Sequence, residues 1–299
     1  MLPTAPLPLR HHLFVTIVKL VGDREDIFQH EEIRAYLFHE LLAALHARDT
    51  EVQLAALHGL RLLGNSQATG ALLAFLRSRP WYDESIRAAV LNALVHLGDD
   101  EHLIQGARDD HETVALVCID ALSTRRTQCA VPTLSALVME CENRVVRQAA
   151  VIALGRIGIA GAEPAILAAL DDLSGFVRRE AAKIAAEHEI DAARDVLWRR
   201  LDCEPYPDVL MEQVRALMVL AKRITRQDLE TLLLHNRAEV REAAVAYWPE
   251  VTDSRSRRLL LRRLDDPAWQ VRVRTIQRRA PQKSSKEVLK ALVDALSDS

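Results

Sequence analysis

Residues 146–178 read VRQAAVIALGRIGIAGAEPAILAALDDLSGFVR, and this run opens and closes on the same Val-Arg pair. Such self-closure marks a repeat, and it constrains the fold more than any other feature of the chain. Val146, Ala149, Ala150, Ala153 and Leu154 recur at helical spacing, so the first segment is a helix with a small apolar face. A Gly break follows at Gly155, Gly158 and Gly161, then a second helix opened by Glu163 and Pro164 and carrying Ile166, Leu167 and Leu170, then an Asp-rich turn. One copy is therefore a helical hairpin. A lone hairpin cannot cover its own apolar face, so copies must stack.

Val146 to Val177 spans 31 residues, and Val240 to Val271 spans 31 again. Similar helices are headed by Val52, Ile86, Val114 and Val209, and the helices before them end at Leu45, Leu76, Ile104, Leu137, Leu170, Leu201, Leu233 and Leu264. About eight hairpins are predicted, with the register open between Val209 and Val214, where EPYPDV inserts two prolines. The motif V-R-x-x-A-x-x-A-L-G, followed by a Pro-headed helix ending L-x-D-x-x-x-x-V-R, resembles the HEAT-like repeats of the phycobilisome-lyase type. The resemblance implies an all-α fold, an α-solenoid of stacked HEAT-like helical hairpins. It leaves function open, because such repeats serve in bilin lyases, a hydroxylase, DNA glycosylases, immunity proteins and scaffolds. The expected organisation is a single solenoid over 1–299: an N-terminal cap over 1–40, holding Phe14, Ile17, Phe28, Tyr36 and Phe38, repeats over 41–282, and a C-terminal cap helix in 283–299.

Composition agrees with close-packed helices: aromatic residues make up 4% of the chain and apolar residues 49%, so burial rests on Leu, Ala, Val and Ile. The apolar run 13–18 is broken by Lys19 and is far shorter than the roughly 20 residues of a membrane span. No leader sequence is expected. Cys118, Cys129, Cys141 and Cys203 show no paired short spacing, and a reduced cytoplasmic compartment is the plain reading. Net charge is -3 but unevenly spread: residues 222–290 hold 17 Lys and Arg against 9 Asp and Glu, whereas residues 1–221 hold 22 against 31.

Within the repeat, Asp171 with Arg178, Asp265 with Arg272 and Asn236 with Arg241 are expected to join neighbouring copies. The acid caps a helix and the arginine bridges carboxylates of adjacent turns. Four His-Glu dipeptides (His30-Glu31, His39-Glu40, His111-Glu112 and His188-Glu189) invite comparison with deoxyhypusine hydroxylase, a di-iron enzyme of this repeat type. In that family the dipeptide occupies one equivalent place early in each second helix. Here those places hold Arg87-Ala88, Arg147-Gln148, Arg178-Arg179 and Arg241-Glu242. No metal, cofactor or catalytic residue is assigned. GRIGIAG at 155–161 follows no strand, and its glycines suit a left-handed helix stop rather than a dinucleotide.

Two surfaces remain. Arg258, Arg262 and Arg263, near Trp248 and Trp269, are candidate nucleic-acid contacts, as in HEAT-fold alkylpurine DNA glycosylases. The competing expectation is a solvated helix face with both tryptophans in the core. The second surface comes from counting six residues on from each helix head, which gives His58, Asn92, Asp120, Ile152, Lys183, Arg215, Ala246 and Gln277, six of them polar. Four residues further on stand Leu62, His96, Thr124, Arg156, Glu187, Val219, Glu250 and Pro281. A varied polar row is what recognition of an irregular surface needs; the alternative is solvent positions free to drift. The sequence thus reads as a non-enzymatic scaffold or adaptor, an immunity or assembly factor being one form. A protein partner would lie in the groove against His58, Asn92, His96, Asp120, Arg156, Lys183, Glu187 and Arg215. The alternatives are a nucleic-acid binder or glycosylase using the basic C-terminal repeats, and a bilin-lyase-like protein.

Overall fold

The computed structural model describes residues 15, 16, 18, 31–78, 83–97, 99–220, 226–248 and 254–279. Most of the expected N-terminal cap, including Phe14, Ile17 and Phe28, lies outside them, as do His30, Glu250, Pro281 and the whole of 283–299. The described residues form sixteen α-helices with no strand among them, and the chain packs as two compact units, Met1–Gly158 and Ile159–Ser299.

Unit 1 holds α1 (Glu31–Ala44), α2 (Thr50–Leu63), α3 (Ala68–Arg77), α4 (Glu84–Leu97), α5 (Asp100–Gly106), α6 (Glu112–Thr124), α7 (Val131–Glu140) and α8 (Arg144–Ile157). Unit 2 holds α9 (Glu163–Ala169), α10 (Gly175–Glu187), α11 (Ala193–Leu201), α12 (Pro207–Leu220), α13 (Arg226–Leu233), α14 (Ala238–Ala246), α15 (Ser254–Leu261) and α16 (Trp269–Arg279). Odd-numbered helices are the first arms of eight hairpins and even-numbered helices the second. In each unit the second arms pack side by side, α2 on α4, α4 on α6 and α6 on α8, then α10 on α12, α12 on α14 and α14 on α16.

Every second arm begins two residues before its Val or Ile head, which settles the open register: Pro207 starts α12 and Val209 heads it. Proline suits this place because the first helical turn leaves its amides unbonded and the ring presets φ. Four residues past the head stand Ala56, Val90, Cys118, Ala150, Ala181, Gln213, Ala244 and Thr275, all without exposure. Small side chains there let adjacent second arms approach closely. Burial pushes the Cys118 thiol up to about 12, so it behaves as an inert core residue.

The Gly break differs from expectation. Helix α8 runs through Gly155 to Ile157 and stops at Gly158, whose φ of 124° only glycine adopts readily. A glycine inside a helix costs little when tertiary packing holds it, so propensity alone misplaced the stop.

The turn before each second arm has its own device. A side-chain acceptor takes the amide two residues on: Asp49 from Glu51, Asp83 from Ser85, Asp109 from His111, Asn143 from Val145, Asp172 from Ser174 and Asp266 from Ala268. This is the local bonding that makes Asp and Asn turn formers. The acids used are Asp172 and Asp266, each one residue after the expected Asp171 and Asp265.

Candidate partner-binding surface

The residue after each helix head does structural work. Arg147, Arg178, Arg241 and Arg272 each send Nη1 back to the carbonyls six and five residues earlier, for example Arg178 to Asp172 O at 2.7 Å and Leu173 O at 3.1 Å. Gln53 does the same to Ala47 O at 2.5 Å. In unit 2 the arginine also grips the next turn. Arg178 Nε and Nη2 lie 2.7 and 2.5 Å from Glu204, and Arg241 Nε and Nη2 lie 2.9 and 2.8 Å from Asp266.

These carboxylates are buried and saturated. Glu204 also accepts from Arg200, Gln213 and the Tyr206 amide, and Asp266 from Arg263 and the Ala268 amide. Burial pushes the Glu204 carboxyl up, but the Arg178 guanidinium, the Tyr206 amide and Arg200 outweigh it and hold the acid below the usual carboxylate range. Asp266 is held low in the same way, burial being overcome by Arg241, the Ala268 amide and Arg263. A buried carboxylate whose oxygens are engaged by several donors is poorly placed for acid–base chemistry. Arg178 and Arg241 are staples between neighbouring repeats, as the sequence led one to expect, while Arg147 and Arg272 brace the turn before their own helix.

The positions six and ten residues past each head form the accessible face of the second-arm layer. None of the described residues at these positions is buried. In unit 1, Asp120 of α6 and Arg156 of α8 meet across adjacent repeats at 3.4 Å, His96 Nδ1 lies 2.7 Å from Asn92 O, and His58 Nδ1 lies 3.2 Å from Arg61. Partial burial, with Arg61 beside it, holds His58 below its ordinary value, so the ring is neutral near pH 7. In unit 2, Lys183 and Glu187 stand exposed one turn apart on α10, and Arg215 of α12 bonds Glu212 at 2.5 Å with Glu187 and Tyr247 near it. The structure thus brings Asp120 to Arg156 and Glu187 to Arg215. It leaves His58 with only its own helix neighbour.

Sequence counting missed the apolar members of this region. Phe176, one residue before its helix head, is half exposed, and so are Tyr206 and nearly all of Leu173. Arg179 lies over the Phe176 ring and Arg178 over Tyr206, at 6.0 and 5.8 Å. A signal was present, since the place held by Phe176 carries Glu51, Ser85, Thr113, Asp208, Glu239 and Gln270 in six other repeats and an apolar residue, Val145, in one.

The basic C-terminal candidates separate. Arg263 turns inward, giving Nη1 to Leu233 O at 2.8 Å and to Asp266 at 3.3 Å, so it belongs to a staple. Arg258 and Arg262 are exposed. Trp248 is 3% exposed and lies in the core, but Trp269 is 61% exposed, which corrects the expectation of two core tryptophans. Trp269 opens α16 two residues before its head, on the solvent side of the turn.

The His-Glu dipeptides occupy unlike places: His39-Glu40 inside a first arm, His111-Glu112 at the start of α6, and His188-Glu189 at the end of α10. Among the described residues no group of three or more His, Cys, Asp or Glu could hold a metal ion, and no helix is long and apolar enough to cross a membrane.

Residues 101–182 match the family described as HEAT repeats. No curated protein matches the chain. A chain from the solved structure of Kap95p with RanGDP, concerned with nuclear import complex assembly, aligns at TM-score 0.59 and 16% identity over 96% of this chain and 47% of its own length. The present chain therefore spans about half the length of that protein, and at this identity the likeness is one of fold. Human deoxyhypusine hydroxylase aligns at 18% identity, TM-score 0.35, over 79% of this chain and 96% of its own. The CpcE–CpcF phycocyanin lyase of Nostoc aligns at 17% identity, TM-score 0.33, over 81% and 91%. Helix order, repeat match and fold likeness together make this chain an all-α solenoid of stacked HEAT-like hairpins.

Proposed function

We propose that the chain is a non-enzymatic scaffold or adaptor that binds a protein partner on the accessible face of its second arms. The observation that carries this reading is a contrast inside one helix type. The place four residues past the head is sealed in all eight repeats, while the place six past it is open and holds His58, Asn92, Asp120, Lys183 and Arg215 among others. Uniform positions serve packing; open positions of changing charge suit an irregular protein surface. The exposed pairs on this face contribute little to stability, so a partner can recruit them at small cost. The binding of Ran by Kap95p is one instance of a protein of this fold engaging another protein. One uninterrupted solenoid over 1–299, capped by 1–40 and 283–299, and a cytoplasmic location belong to the same proposal.

The nucleic-acid and glycosylase alternative loses two of its parts, since Arg263 is engaged with Leu233 O and Asp266, and Trp248 is buried. The test is affinity capture from the native cell followed by single alanine replacement of His58, Asn92, His96, Asp120, Arg156, Lys183, Glu187 and Arg215. A few replacements should each weaken the captured complex by about tenfold or more, with melting almost unmoved. If all eight leave binding unchanged while replacements on the first arms abolish it, the face is assigned wrongly.

A further inference from the structure

A separate feature lies on the other layer of unit 2. Between the first arms α13 and α15 is a cavity of about 400 Å³, lined by Glu230, Leu233, Leu234, Arg258, Leu259, Arg262 and the stem of Arg263. Its volume falls in the range of ligand pockets, roughly 300–1,000 Å³. Leu233, Leu234 and Leu259 give it an apolar part, Glu230 and the arginines a polar one, and Arg258 and Arg262 are exposed.

Leu234 is the informative residue. In unit 2 the residue after the last Leu of a first arm is charged in three hairpins, Asp171, Asp202 and Asp265, and apolar only here. The turn therefore needs no apolar group at this place, yet Leu234 is 67% exposed. It lines the cavity together with Arg258 and Arg262, and in the sequence residues 254–265 hold five arginines against Asp265 alone, in a chain whose net charge is -3.

We infer that the α13–α15 cavity is a docking site for an acidic peptide segment of a partner protein, a leucine or phenylalanine seated on Leu233, Leu234 and Leu259 and flanking carboxylates paired with Arg258 and Arg262. Guanidinium groups suit this task because they bind carboxylates in a planar two-point fashion and sit well against apolar surface. A nucleic acid fits less well. It has no aliphatic group to fill the leucine surface, and no aromatic side chain lines the cavity to stack a base. The site is independent of the second-arm face, so either can fail alone.

The test uses the full chain in fluorescence anisotropy titrations. The probes are a panel of fluorescein-labelled peptides with leucine or phenylalanine between aspartates and glutamates, the same peptides with asparagine and glutamine for the acids, the same with serine for the apolar residue, and a short oligothymidylate. The acidic-apolar peptides should bind saturably and the three control classes should bind at least about tenfold more weakly. Leu234→Asp, which installs the residue found in the other three turns, and Arg262→Glu should each weaken peptide binding about tenfold with the helical circular dichroism and melting unchanged. Charge alone is not the basis if Leu234→Asp and the serine peptides fall with the rest. The inference is overturned if no acidic-apolar peptide saturates, if the amide versions bind equally, if oligothymidylate binds more tightly, or if folded Leu234→Asp binds as the parent does.

Discussion

Units 1 and 2 use one helical framework and hold neighbouring repeats together differently. In unit 2 the arginine after the helix head reaches a buried carboxylate of the next turn, Arg178 to Glu204 and Arg241 to Asp266. In unit 1 that place holds Gln53, Arg87, Ala115 and Arg147, and ion pairs that join repeats lie at the surface, Arg77 with Asp109 and Arg156 with Asp120. Exposed pairs are weak, commonly ~0–1 kcal/mol, whereas breaking a buried pair strands a charge and costs roughly 3–5 kcal/mol. The same fold thus carries electrostatics that hardly matter in one half and matter greatly in the other.

The comparison is broken or kept most directly by removing one acid from each unit. Glu204→Ala should destabilise unit 2 by roughly 3–5 kcal/mol, leaving the buried Arg178 without its carboxylate, while Asp120→Ala in unit 1 should cost less than about 1 kcal/mol. Urea unfolding followed by hydrogen exchange in each unit measures both, and equal losses would end the distinction.

A smaller effect tests the packing around the staple. A Cβ on Gly175 would stand 2.8 Å from Tyr206 Cδ2, a ring held in place by Arg178, whereas one on Gly70 in unit 1 meets nothing within 4 Å. Gly175→Ala should cost about 1–3 kcal/mol. Gly70→Ala should stabilise by roughly 0.5–1 kcal/mol, because alanine loses less backbone freedom in a helix. Thermal melts of the two variants should move in opposite directions.

Acid gives the least contrast, since both units carry carboxylates held low. Glu204 and Asp266 in unit 2, and Asp99 and Asp109 in unit 1, lie below their ordinary values. For a depressed acid the stabilisation is present above the unfolded value, about 4, and is lost as pH falls through the folded value. Through these acids both units should therefore weaken below about pH 4; between pH 5 and 7 the depressed His58 of unit 1 gives a small loss as pH falls through about 6.5, where the unfolded chain binds the proton first. Unit 2 should lose protection first, because its two acids are buried and their protonated forms leave arginines unpaired. Hydrogen exchange over residues 172–213 and 99–125 between pH 5 and 3 would show the order.

Fold and register were legible to the degree that chemistry repeats. Eight helix heads and the Ala or other compact residue four places on are forced by close helix packing, so period and residue type both announce them. Arg178 and Arg241 were legible as staples for the same reason. Their partners were harder: Glu204 sits inside the EPYPDV insertion, where the longer Glu side chain replaces the Asp of other turns and breaks the motif being matched. The opposite fates of Trp248 and Trp269 depend on which side of a turn each ring leaves the helix, and composition is silent on that. The polar row was found by counting; Phe176 and Leu234 stand where most equivalent places hold polar residues, but that departure gained meaning only with their exposure, as did Trp269.

The staple also decides how such a chain can change its length. Each joins a guanidinium from one repeat to a carboxylate about 25 residues downstream, 26 for Arg178 and Glu204 and 25 for Arg241 and Asp266. A deletion that begins and ends inside a hairpin orphans one charge in the core and is purged by the loss of folding. A deletion or duplication of two hairpins, the step from Arg178 to Arg241, keeps each of these arginines opposite an acid, whereas loss of the α11–α12 hairpin alone would set Arg178 against the acid-free turn 235–237. Unit 2 is therefore expected to gain or shed hairpins in pairs, by recombination between like turns, so the ion pairs that hold it together also set the size of the step by which it evolves.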